Sequence, residues 1–92
     1  MVSIALTRHL FQFFPQLADR EVAVEAATVA EAVRALDDLA PGIAFYICDE
    51  RGRLRPHVNI FVGKEAVRDR MRLSDPVAPG DTLSILQALS GG

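Results

Sequence analysis

The sequence predicts an α+β domain in which one main helix lies across a mixed sheet of four or five strands. Three observations carry that expectation. Stretches of alternating apolar and polar residues recur at 2–7, 21–25, 58–62 and 81–87. A single amphipathic helical pattern, with its own start and stop signals, falls between the second and third of these. The chain has 92 residues, enough for one small core and not for two.

Composition narrows the function classes. Half of the residues are hydrophobic and 24% are charged, the profile of a soluble globular domain and not of a disordered one. The net charge of −2 and the lack of a basic stripe argue against nucleic acid, since Arg51, Arg53 and Arg55 stand beside Asp49 and Glu50. No apolar run reaches the roughly 18 residues of a membrane span, and no signal-peptide pattern opens the sequence. The single cysteine, Cys48, builds no disulfide framework and reads as a small buried hydrophobe; a cytoplasmic setting is expected.

In chain order, Val2, Ile4 and Leu6 share one face of the first strand. Residues 8–20 read as a long connection that tucks Phe11, Phe13 and Phe14 under the sheet edge. Glu21-Val22-Ala23-Val24-Glu25 follows as a second strand able to pair with the first as a hairpin. Thr28-Val29-Ala30-Glu31 is a capping box, in which the Thr28 hydroxyl accepts from the Glu31 N–H and the Glu31 carboxylate reaches back to the Thr28 N–H. The helix that starts there spaces Val29, Ala32, Val33, Leu36 and Leu39 on one face and stops at Pro41-Gly42.

Periodicity leaves residues 43–48 open between a strand and a buried turn. Val58, Ile60 and Val62 then mark a strand, Gly63-Lys64-Glu65 a turn, and residues 66–73 a polar crossing pinned by Met71 and Leu73. Asp75-Pro76 and Pro79-Gly80-Asp81 lead into the last strand. Strands in runs with one segregated helix make a β-grasp arrangement, the shape of ubiquitin. Leu83 and Ile85 are expected to face the helix. Ser84, Leu86 and Phe61 are expected on the helix-free face, where the two large apolar side chains would form a docking patch.

The last strand gives way to Ala88-Leu89-Ser90-Gly91-Gly92. Glycine lacks a Cβ, so such an end can lie extended in a slot too narrow for other residues. Four residues from Leu89 reach roughly 13 Å. Residues 1–92 are therefore expected to be one domain with a flexible tail at 88–92 that carries Gly92 into another protein's active site.

The stretch Leu54-Arg55-Pro56-His57-Val58-Asn59-Ile60-Phe61-Val62, then Pro79-Gly80-Asp81-Thr82-Leu83-Ser84-Ile85, then Gly91-Gly92, resembles the MoaD/ThiS family of ubiquitin-like sulfur-carrier proteins. The helix start at Thr28 and its stop at Pro41-Gly42 fit the same pattern, so the likeness covers almost the whole chain. In tone it is CysO-like or MoaD-like. Gly63 and Gln87 depart from it, standing where many members have Asn and Pro.

The resemblance implies a mechanism. An ATP-using adenylating enzyme of the ubiquitin-activating type would turn the Gly92 carboxylate into an acyl-adenylate, and a sulfur donor would displace AMP to leave a thiocarboxylate. Leu89, Ser90 and Gly91 would thread the partner's channel, while Phe61, Ser84 and Leu86 would meet its surface. The sulfur would pass to an acceptor enzyme, a molybdopterin synthase large subunit or a cysteine synthase. ATP belongs to the partner, and no tightly bound cofactor is expected of the carrier. A ubiquitin-like modifier joined to lysines through Gly92 is the rival expectation.

Other constellations point elsewhere or nowhere. His9 and His57 lack the companions of a metal site, so no metal ligands are expected. Asp37-Asp38 and Asp49-Glu50 read as solvated charge. Ser90 has no His–carboxylate pair to activate it, and no catalytic residue is assigned.

Overall fold

Five strands make one mixed sheet: β1 (Val2–Leu6), β2 (Val22–Val24), β3 (Val58–Val62), β4 (Glu65–Ala66) and β5 (Thr82–Gln87). They stand in the order β2-β1-β5-β3-β4 in a computed structural model that describes residues 1–18 and 20–87. β1 runs antiparallel to β2 and parallel to β5, while β3 runs antiparallel to both β5 and β4. The strand last in sequence is thus the middle strand of the sheet. This is the expected β-grasp arrangement.

The fifth strand, β4, falls where the sequence reads as a turn. Val62 pairs with Glu65 around Gly63-Lys64, and Gly63 sits at φ 62°. A two-residue hairpin loop of this kind needs a left-handed backbone, which glycine adopts without strain.

The main helix, α1 (Val29–Leu39), begins as its sequence dictates. The Glu31 N–H donates to Thr28 Oγ1 at 3.2 Å. The returning Glu31 carboxylate accepts from the N–H of Ala27 at 3.2 Å, one residue earlier than the capping-box expectation. The remaining orphan donors of the first turn find distant carbonyls: Val29 N–H meets Asp75 O at 3.0 Å and Ala30 N–H meets Leu73 O at 2.9 Å. Val29, Ala32, Val33 and Leu36 are buried, but Leu39 is exposed. At about 100° per residue, Leu39 lies on the edge of the stripe centred on Leu36, and Ala40 takes the buried position instead.

Residues 43–48 resolve as a second, short helix, α2 (Ile43–Ile47), followed by Cys48, which bridges to Leu54. Its start depends on Asp37, whose Oδ1 accepts from the Gly42 and Ala44 N–H groups, each at 3.0 Å. Gly42 turns the chain between the helices at φ 102°. Ile43 and Ile47, four apart, face the core. Asp37 is therefore a helix-to-helix bridge, not free solvated charge.

The core lies between the sheet and the helices and includes Ile4, Val29, Leu36, Ile60, Leu83 and Ile85. Each such side chain contributes about 1.5–3 kcal/mol by leaving water. Two 3-10 turns fill the β1–β2 connection, at Arg8–Gln12 and Pro15–Leu17. They bury Leu10, Phe14 and Leu17, while Phe11 is half-buried and Phe13 stays exposed. In the crossing after β4, Leu73 is buried as expected, but Met71 is 59% exposed and Val67 and Val77 do the pinning in its place.

Candidate functional site

The helix-free face of the sheet is set by strand register. Asn59 stands opposite Leu86, and Phe61 opposite Ser84. Ser84 also neighbours Ala5, and Phe61 neighbours Ala66. Phe61 and Leu86 are therefore diagonal neighbours across β3 and β5, in a field of small side chains. Side chains so placed are within reach of one another. Leu86 is 45% exposed, and Phe61 and Ser84 are half-buried. All three expected interface residues share one face, on the middle strand and its neighbour.

The end of β5 is fixed by a residue that sequence reading passed over. The Gln87 N–H donates to Thr7 Oγ1 at 3.0 Å, and that hydroxyl donates onward to Ile85 O at 3.3 Å. The Thr7 N–H reaches the same carbonyl at 3.2 Å. Thr7 ties the last described residue to β1, eighty positions away in sequence. Only the parallel pairing of the two strands brings them together, and no local signal marks it.

Beside Gln87, a shallow depression is lined by Phe45, Tyr46, Arg55 and His57. Arg55 Nε donates to Phe45 O at 2.9 Å, and its guanidinium carbon lies 5.8 Å from the centre of the Phe45 ring. Tyr46 packs against Phe13 and, edge-on, against Phe14. The last described residue thus stands beside a cation and an aromatic cluster. Gln87 Oε1 is buried and has no hydrogen-bond partner among the described residues. The expected attachment point, Gly92, and the expected threading residues Leu89, Ser90 and Gly91 lie outside the described residues.

Two carboxylates away from this face, Asp49 and Asp69, are committed to structure. Desolvation pushes the Asp49 carboxyl up. The N–H groups of Arg53 and Arg51 and the Arg53 side chain outweigh it, and the net shift is downward. Asp69 is lowered by the Ser74 hydroxyl and then by the N–H of Arg72. Cys48 is buried, and desolvation, reinforced by Asp49, raises its thiol above the ordinary value. Its thiolate, the nucleophilic form, is therefore disfavoured. Among the described residues no cluster of three or more His, Cys, Asp or Glu side chains could hold a metal ion. No helix among them is long and apolar enough to cross a membrane.

The ThiS family model matches residues 9–92. Among solved structures, a chain of the Amycolatopsis orientalis BexX/CysO complex is 28% identical over the full length of both chains, with a TM-score of 0.84. CysO of Mycobacterium tuberculosis, described as an antigen, is 27% identical over 97% of this chain and 100% of its own, with a TM-score of 0.82. SAMP1 of Haloferax volcanii is 28% identical over 99% of this chain and 98% of its own, with a TM-score of 0.78. No curated protein sequence matches the chain.

Proposed function

The chain belongs to the ThiS family, and from that premise we propose that it is a sulfur carrier acting through the carboxylate of Gly92. The Gly92 carboxylate attacks the α-phosphate of ATP in a partner adenylating enzyme, forming an acyl-adenylate and releasing pyrophosphate. Sulfide then attacks the acyl carbon; where a donor enzyme's persulfide attacks instead, the acyl disulfide so formed is cleaved at its S–S bond by a second thiol of that enzyme, which becomes a disulfide. The C–O bond to AMP breaks, and a thiocarboxylate remains on Gly92. An acceptor enzyme takes that sulfur in the synthesis of a cofactor such as molybdopterin, or of cysteine.

One observation carries the reading. β5, the middle strand, ends at a root pinned by Thr7, next to the Phe61–Leu86 face. That arrangement lets a partner hold the sheet while the end enters its active site. The chain's own contribution is shape and reach, and the chemistry is the partner's. The likeness to a CysO chain solved with BexX supports partner binding. Phe61, Ser84 and Leu86 are the proposed contact face, and Leu89, Ser90 and Gly91 the proposed threading residues.

Intact mass spectrometry of the protein from its native cell tests this. The expected result is a species heavier by the exchange of one oxygen for sulfur, lost when Gly92 is deleted. A second reading, a protein modifier conjugated through Gly92, is favoured by the 28% identity to SAMP1, a small archaeal modifier protein. Conjugates of higher mass without the sulfur increment would establish that reading in place of the first.

A further inference from the structure

The end of β5 has two flanks. Leu86 and Phe61 lie on the helix-free one. On the other lies the depression of about 300 Å³ that Phe45, Tyr46, Arg55 and His57 form with Gln87. Phe45 is 64% exposed, unusual for a large apolar side chain of a small domain. Phe13, 52% exposed, extends the aromatic surface through Tyr46, with ring centroids 5.3 Å apart.

Arg55 is held in place there. Its Nε donates to Phe45 O at 2.9 Å and its backbone N–H to Ile47 O at 3.1 Å. Arg70 Nη2 donates to the carbonyls of Arg55 and Val58, each at 2.8 Å, and so fastens both ends of the turn that carries Arg55 and His57. The two Nη groups of Arg55 make no hydrogen bond or ion pair among the described residues. Nor does any described carboxylate line the depression. Asp49 pairs with Arg53 at 3.0 Å, and residues 88–92 include no Asp or Glu. A fixed guanidinium with two open donors, beside an exposed ring and no anion, suits a carboxylate from another molecule.

We propose that this depression is a second contact for the adenylating enzyme, whose channel mouth sets a carboxylate on Arg55 and an apolar side chain on Phe45. The inference rests on the reading in which Gly92 reacts inside that enzyme. Gly92 stands five residues beyond Gln87, and five residues span at most about 18 Å. An enzyme that closes around Gly92 therefore holds the mouth of its channel within that distance of Gln87. A channel encloses the segment inside it, so its mouth meets the root of that segment on more than one side. The Phe61–Leu86 face serves one side, and the Phe45–Arg55 depression is what the chain offers on the other. Aromatic and arginine side chains together are the composition that concentrates binding energy in protein interfaces.

The test is ATP–pyrophosphate exchange by the purified adenylating enzyme of the native cell, with the full chain as the varied substrate. Arg55→Glu and Phe45→Ala are expected to raise KM for the chain about tenfold or more. Their kcat should stay within about threefold, the pattern of lost binding with the chemistry at Gly92 intact. Added salt should raise KM more steeply for the wild-type chain than for Arg55→Glu. Lys64→Glu is an equal reversal of charge at the far end of the sheet, where Val62 pairs with Leu83 while Val58 pairs with Gln87. It should leave KM within about twofold. Phe45→Ala removes an exposed ring and no side-chain hydrogen bond, so it decides the matter if circular dichroism shows Arg55→Glu misfolded. Wild-type exchange with KM unchanged in the folded variants overturns this inference and leaves the carrier reading standing. Absence of exchange with the wild-type chain overturns the adenylation reading and this inference with it.

Discussion

The Ala30 N–H donates to the carbonyl of Leu73 at 2.9 Å, and Leu73 holds φ at 54°, alone among the described non-glycine residues in having a positive φ. The two facts are connected. The crossing after β4 must bend sharply to bring its carbonyls to the start of α1, and the bend falls on a side chain that is 2% exposed. Burial of that leucine offsets the cost of its left-handed backbone.

Leu73→Ala is therefore expected to destabilise the fold by about 2–5 kcal/mol. Leu73→Gly should be no worse, because glycine relieves the positive φ that alanine keeps. Guanidinium denaturation of the two variants checks the order. If glycine proves clearly worse than alanine, the backbone at this position carries no strain.

Thr7 holds the root of the chain end through its hydroxyl. Thr7→Val keeps the shape and strands the Gln87 N–H, at a cost of about 1–3 kcal/mol. Amide hydrogen exchange at Gln87 should accelerate in this variant, while Thr7→Ser should preserve protection. Unchanged exchange in Thr7→Val would show that the hydroxyl does not fix the root.

Asp69 organises the crossing by accepting from the N–H groups of Met71, Arg72 and Ser74 and from the Ser74 hydroxyl. Its folded pKa lies below the unfolded one, so its contribution is fully present above the ordinary carboxylate range. It is lost as pH falls through the lowered folded value. Asp69→Asn should lower stability at pH 7 and flatten the acid limb of the stability curve between those two values. Parallel pH titrations of denaturation midpoints measure both effects; identical acid limbs would remove Asp69 from the account.

The raised pKa of Cys48 works in the opposite sense for reactivity. At pH 8 the folded thiol holds its proton while an unfolded one is partly ionised. Alkylation should run about tenfold or more slower in the native protein than in denaturant. Equal rates would mean that the α2–Cys48 segment opens freely.

Local chemistry made much of this protein readable from its sequence. The alternation in β1, β3 and β5, the Thr28–Glu31 cap and the Pro41-Gly42 stop each act within a few residues, so pattern alone reveals them. The facing of Leu83, Ile85, Ser84 and Leu86 was legible for the same reason, since a strand alternates with period two.

What the sequence left open depended on partners far along the chain. Residues 43–47 are helical because Asp37 caps them and Ile43 and Ile47 find the core. β4 is a strand because β3 lies beside it. Thr7 meets Gln87 only because β5 inserts between β1 and β3, and Phe45 and Arg55 come beside Gln87 only through the pairing of β3 with β5. By itself the sequence determined the elements and their inward faces, since those follow from side-chain period and short-range hydrogen bonds. The tertiary structure decided the root of the chain end and the depression beside it, because both are made of contacts whose spacing no local pattern encodes.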